Sequence, residues 1–298
     1  MTNSQYTSDK VFKAVAHIIM ILLAISCLYP FLLIVIASFS TNQSIINEGF
    51  TLFPSGVTLD TYKLIFANPG SLADAYKVTI FTTAITTVMA VFMESSCGYV
   101  MSRPDYRYKG ILSFYVFFTM IFNGGMVPGY ILITQWLHLK DNVFALILPN
   151  ACTAWNIILC KSFFMGLPFS VIESAKLDGA KEHQILLKII IPLSKPIIAT
   201  ITLFTVLAAW NEWTYSLLFI DTPSKVKLQY LLMAIMSNID FLNSAEGAAV
   251  SSMVGTVDMP TTSARMAMCV LAAGPMLCIF PFFQKYFVKG VTIGAVKG

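Results

Sequence analysis

The chain has little charge. Only 11% of its 298 residues are Asp, Glu, Lys or Arg, 57% are hydrophobic, and the mean hydropathy is +0.74, whereas soluble domains carry about 25% charged residues. This scarcity excludes a water-soluble globule and makes the chain an integral membrane protein. No G-x-x-x-x-G-K-[ST] loop occurs, so the chain has no P-loop to cradle and hydrolyse a nucleotide. The six cysteines, Cys27, Cys97, Cys152, Cys160, Cys269 and Cys278, contain no C-x-x-C pair, which argues against a zinc site or a disulfide framework. Each falls in an apolar run and is expected to be a small core residue. The three histidines, His17, His138 and His183, are far apart and share no motif. No paired-acid, metal or nucleophile pattern points to an enzyme. The net charge of +4 is dispersed over the ends of apolar runs, where it orients a chain in the bilayer, so no nucleic-acid partner follows.

What is present is a series of apolar runs long enough for about six crossings of roughly 20 residues each. The predicted fold class is therefore all-α, a polytopic membrane protein with six transmembrane helices. Residues 1–14 form a cytoplasmic N-terminus and residues 15–298 the membrane domain. The expected spans are His17 to Ser38 with a kink at Pro30, then about Tyr76 to Met101, a third from near Ile111, then about Val143 to Phe164, Ile197 to Phe219, and Ala264 to Tyr286. Gly124-Gly125 and Pro128-Gly129 break the third run, so Tyr130 to Leu139 is expected as a separate surface-lying helix. Leu59 to Phe66 in the stretch Thr41 to Asp74, and the amphipathic Leu228 to Met236 in Ile220 to Thr261, are expected to lie outside. The basic residues support this topology: thirteen Lys and Arg fall inside and six outside, the latter including Lys225 and Lys227. By the positive-inside rule both termini are cytoplasmic.

Between the fourth and fifth runs lies a charged island, the cytoplasmic loop 166–196. Ser170 and Glu173 have capping-box spacing and predict a helix from about Val171. Gly179 is suited to stopping it, because glycine enters the left-handed region without steric penalty. Ala180 to Ile190 then restarts as helix, with Pro192 and Pro196 as terminators. Glu173, Ala175, Gly179, Ile189 and Pro192 also stand in the register E-A-A, three residues, G, nine residues, I-x-L-P, with Ser174 and Ile191 as conservative departures.

That register resembles the signature of ABC importer permeases, and Asp178-Gly179-Ala180 resembles the corner of the carbohydrate-uptake branch, of the MalG type. Asn123 to Pro128 and the ending Lys289 to Gly298 look like the subgroup containing LplC-type permeases and the alginate oligosaccharide importer. The resemblance covers essentially the whole chain and implies the MetI-like permease fold in a bacterial plasma membrane. It implies that Glu173, Ser174, Ala175, Asp178, Gly179, Ala180 and Pro192 couple to an ATPase rather than catalyse. It further implies a second, similar permease, two ATP-binding cassette subunits that hold the ATP and Mg, and an extracytoplasmic solute-binding protein. The chain itself would bind no cofactor, and its cargo would be an oligosaccharide or polysaccharide fragment.

Two acids fall within expected spans, and an unpaired charge there is costly. Glu94, beside Ser95 and Ser96, suits either a hydrogen bond to a neighbouring helix or a place on the solute path. Trp210-Asn211-Glu212 combines an aromatic face with an amide and a carboxylate, chemistry that suits sugars, although Trp213 and Tyr215 equally suit interface anchors. An importer for a peptide or amino acid, or an ion-driven secondary transporter, remains the alternative to carbohydrate import.

Overall fold

In a bilayer every backbone N–H must find a partner within the protein, which leaves helix as the economical answer for apolar runs of this length. In a computed structural model of the chain, residues 2–67, 69–242 and 261–295 are described; part of the expected external loop, 243–260, and the final Val296-Lys297-Gly298 lie outside them. Among the described residues the regular structure is helical, with one isolated bridge between Ser40 and Val57.

The chain divides into two units, Met1–Pro69 with Ala234–Gly274, and Gly70–Met233 with Pro275–Gly298. The first unit contains α1 (Thr2–Ser38), which includes Pro30, then α2 (Asn42–Glu48) and α3 (Asp60–Ile65). Thr41 caps α2 by accepting the Ser44 N–H at 3.3 Å. Helix α3 realises the short helix expected near Leu59 to Phe66, and its Thr61 hydroxyl meets that of Ser263 at 3.1 Å.

The second unit holds most of α4 (Pro69–Ser102), followed by α5 (Lys109–Ile121), α6 (Met126–Ile131, prolonged by a π turn Leu132–Trp136), α7 (Phe144–Ile147, prolonged by a 3-10 turn Leu148–Asn150) and α8 (Ala154–Met165). It continues through α9 (Phe169–Leu177), α10 (Glu182–Ile185, followed by a π turn Leu186–Ile190), α11 (Ile191–Leu193), α12 (Lys195–Asn211) and α13 (Thr214–Phe219). Helices α14 (Leu228–Leu242) and α15 (Thr261–Ala295) complete the described chain.

Three helices are unbroken candidate spans, within α1, α4 and α15, and three more are bent pairs; counting each pair as one crossing gives six. The break after Ile121 falls at the expected glycines and turns the chain by 112°. The helical segment beyond it begins at Met126, earlier than the expected Tyr130, because Gly125 at φ 87° opens it directly. Two other expectations are corrected. The fourth run is not one helix but bends by 45° around Ala151–Thr153, next to Pro149, which cannot supply an N–H to the ladder. The fifth ends at Asn211 instead of Phe219: Glu212 is extended, at φ −74° and ψ 116°, and its carboxylate accepts the Tyr215 N–H at 2.9 Å to start α13.

Ending α12 early frees its last carbonyls. Lys227, counted among the outside charges, is fully buried within the chain, and its ammonium donates to the Ala209 carbonyl, where a cation also complements the negative helix end. The neighbouring Leu228 N–H donates to Thr79 of α4 at 2.8 Å. The cysteines are likewise corrected: only Cys160 is buried, Cys97 is partly so, and Cys27, Cys152, Cys269 and Cys278 are exposed in the isolated chain. Packing in this unit centres on Tyr99, Cys160, Ile172, Ile185, Ile190 and Ile201. Gly98 lets α4 and α8 approach there, since a Cβ on it would lie 2.5 Å from the Cys160 Cβ.

Candidate functional site

The 166–196 loop folds as a corner whose first helix starts earlier than its letters suggest. Pro168, at φ −62° and ψ 122°, is the N-cap of α9, so Ser170 is the second helical residue and cannot cap. The expected capping box is absent. Glu173 is exposed, and its carboxylate has no hydrogen-bond or ion-pair partner among the described residues. Gly179 does end the helix, at φ 77°. The Ala180 N–H reaches the Ala175 carbonyl at 3.0 Å and the Gly179 N–H that of Lys176 at 3.0 Å, the paired bonds of a Schellman cap.

The second arm opens with Glu182. The preceding Lys181 N–H donates to Gln184 Oε1 at 3.0 Å. Pro192 does not terminate this arm as expected. The π turn widens the ladder, so that the Ile191 N–H bonds Leu186, and Pro192 falls in the first turn of α11, where its missing N–H leaves no gap. The stop comes at buried Ser194, and the arm Glu182–Leu193 meets α12 at 88°.

Of the expected contact residues, Glu173, Ser174, Asp178 and Gly179 are exposed at the corner, Ala175 is buried and Ala180 half-buried there, and Pro192 is exposed at the far end of the second arm. Leu177 joins them at 89% exposure. Sequence reasoning passed over this leucine, although a lone apolar residue before Asp-Gly in a polar loop was a readable signal.

A charge cluster holds the inner surface. Arg103, at the end of α4, is 4% exposed. It forks onto Asp105 through Nε and Nη2 at 2.8 and 2.6 Å, donates to the Tyr99 hydroxyl at 2.7 Å and reaches Glu182 at 3.3 Å. Lys176 bridges Asp105 at 2.8 Å and Glu182 at 3.1 Å. The guanidinium also lies 5.6 Å from the Phe169 ring centroid, within cation–π range. One side chain thus touches α4, α9 and the start of the second arm. The Arg103 bond holds the Asp105 carboxyl well below the usual carboxylate range.

The residues expected on the solute path do not converge. Trp210 is 2% exposed, which removes its ring as a platform, and Asn211 is exposed, donating to the Leu207 carbonyl at 2.9 Å. Glu212 alone of the three lines a cleft of about 710 Å³, with Asn123, Tyr130, Tyr215 and Phe219. Its Oε2 is buried and unbonded. Glu94 stands elsewhere, fully buried, accepting the Thr153 N–H and hydroxyl at 3.0 and 2.9 Å and the Asn156 amide at 3.0 Å.

Residues 87–293, which span the corner, both acids and every helix from α5 to α14, match the family described as binding-protein-dependent transport system inner membrane component. The chain belongs to this family. As a member of this permease family it is 36% identical to the polygalacturonan/rhamnogalacturonan transport system permease protein YtcP of Bacillus subtilis, over 97% of this chain and 99% of that one. It is 38% identical to protein LplC of the same organism, over 90% of this chain and 89% of that one. Its fold matches a chain in the crystal structure of a bacterial ABC transporter involved in the import of the acidic polysaccharide alginate, with TM-score 0.76, 31% identity, and coverage of 94% and 98%. The all-helical permease fold is therefore established for this chain, as is its place among ABC transporter membrane components.

Proposed function

We propose that the chain is one permease subunit of an ATP-driven importer of carbohydrate, either an oligosaccharide or a polysaccharide fragment. The observation that carries the reading is likeness over nearly the whole chain to permeases named for polygalacturonan/rhamnogalacturonan, trehalose/maltose and arabinooligosaccharide transport. In this reading the chain forms half of the path beside a second, similar permease. Two separate ATPase subunits hold ATP and Mg and supply the chemistry, and an extracytoplasmic binding protein delivers the solute. The chain is not itself an enzyme, and both its termini lie in the cytoplasm.

The corner is the ATPase contact. Among the described residues its exposed surface offers two carboxylates without a partner, Glu173 and Asp178, and the bare apolar side chain of Leu177, at a bend whose backbone is fixed by hydrogen bonds. Glu212 supports a place on the path for the 710 Å³ cleft, which it lines together with Tyr130, Tyr215 and Phe219. Gly179→Val tests the corner, because a β-branched residue is strained at a positive φ. The expected outcome is a complex still in the membrane but with reduced ATPase retention and uptake. Wild-type retention, solute-stimulated hydrolysis and uptake together would refute the coupling assignment.

A further inference from the structure

The sequence holds a second Trp-Asn pair, Trp155-Asn156, at the bend of the fourth span. Here the structure leaves the aromatic ring uncovered: Trp155 is 57% exposed, against 2% for Trp210. A cleft of about 360 Å³ lies beside it, lined by Asn150, Thr153, Trp155, Asn156, Phe204 and Thr205, within the size range of small-molecule sites, about 300–1,000 Å³. We propose that this cleft is a carbohydrate subsite that takes an uncharged sugar ring, Trp155 stacking on its C–H face and Asn150 and Asn156 meeting its hydroxyls.

The polar groups are arranged for that role. The Asn156 amide nitrogen is fixed from behind, donating to both Glu94 oxygens at 3.2 and 3.0 Å and to Thr205 at 3.4 Å. Its Oδ1, which takes no hydrogen bond among the described residues, remains to accept one. Asn150 supplies the complement, because its Nδ2 is buried and has no partner among the described residues. An orphaned amide donor is costly in an apolar setting, so lipid tails are a poor occupant, and a ligand rich in hydroxyls is a good one. Phe204, 42% exposed, adds a second apolar wall. Among the described residues no Asp, Glu, Lys or Arg lines the cleft, and Glu94 stands immediately behind Asn156. A uronate carboxylate would meet no cation there and would face a buried carboxylate, so the ring must be neutral.

This inference rests on the carbohydrate reading, and the experiment separates the two. Complete complexes, reconstituted in proteoliposomes with their binding protein, are offered a mixed digest of starch, arabinan and pectin, and imported oligosaccharides are identified by mass spectrometry. Import of no oligosaccharide by the wild type would overturn the carbohydrate reading and this inference with it. Given import, Trp155→Ala should raise the half-saturation concentration roughly ten-fold, with Trp155→Phe close to wild type. Asn150→Leu should raise it about five-fold, the worth of one hydrogen bond, while thermal stability holds or rises, since an unpaired buried donor has been removed. A merely structural Asn150 would lose stability and leave half-saturation unmoved. Unchanged half-saturation in Trp155→Ala and Asn150→Leu would overturn the subsite and leave the carbohydrate reading standing. Import confined to oligosaccharides made wholly of uronates would overturn the neutral-ring assignment.

Discussion

Replacing Arg103 by methionine removes the charge that ties the corner to α4 while keeping an apolar stem against Tyr99 and Phe169. The wild-type guanidinium makes two short bonds to Asp105, one to Tyr99 and longer ones to Glu182 at 3.3 and 3.5 Å. Breaking a buried ion pair costs about 3–5 kcal/mol, but the acidic side chains are 45% and 56% exposed and both retain Lys176. Exposed pairs are worth at most about 1 kcal/mol. The loss should fall between these limits, near 2 kcal/mol, or about thirty-fold in the balance between seated and detached corner. The assay is the ratio of solute taken up to ATP hydrolysed in reconstituted complexes. Arg103→Met should lower this ratio, and Arg103→Lys should restore part of it, since an ammonium keeps the charge but not the fork. A lowered thermal midpoint with an unchanged ratio would refute the positioning role and leave Arg103 a purely structural residue.

On the corner's outer surface, Glu173→Ala and Leu177→Asp should weaken co-purification of the ATPase without changing membrane insertion, because neither side chain packs inside the chain; undiminished co-purification would count against them as contacts. Gly98→Val should destabilise the purified subunit by about 1–3 kcal/mol through overpacking between α4 and α8, read as a fall in the detergent melting temperature. Burial pushes the Lys227 ammonium down to about 8, whereas in the unfolded chain it titrates near 10. Between these values the unfolded chain binds more protons, so stability should rise from about pH 8 to pH 10; a melting temperature flat across that window would contradict it. The Asp105 carboxyl is depressed instead, so its contribution is fully present above its ordinary value of about 4 and fades only as pH falls below that. Coupling should therefore show no step from Asp105 between pH 5 and 8.

What the letters reveal and what they hide divides along physical lines. The crossings and the left-handed stop at Gly179 follow from local rules, hydropathy and backbone sterics, and both were legible. The capping box at Ser170 failed because Pro168 starts the helix first, and the choice between two adjacent start signals depends on how α9 packs through Ile172 and Ala175. Pro192 misled for a related reason: a π turn that ends two residues before it shifts the ladder so that its missing N–H leaves no gap, and nothing in Leu-Leu-Lys-Ile-Ile announces one. Trp210 and Trp155 have the same neighbour and opposite surroundings, a difference set by long-range packing alone. The burial of Lys227 is not legible because sequence cannot show that α12 ends two residues short of Trp213 and leaves a carbonyl for it.

The 88° junction at Ser194 gives the molecule a mechanical ratio. The arm Glu182–Leu193 spans about 18 Å at 1.5 Å per residue, and the 17 residues of α12 about 25 Å. Joined at a right angle, they form a bell crank with Ser194 as its fulcrum. A push of one ångström at the Gly179 end, directed along α12, swings the Asn211 end by about 1.4 Å, and that end carries Glu212 and the wall of the larger cleft.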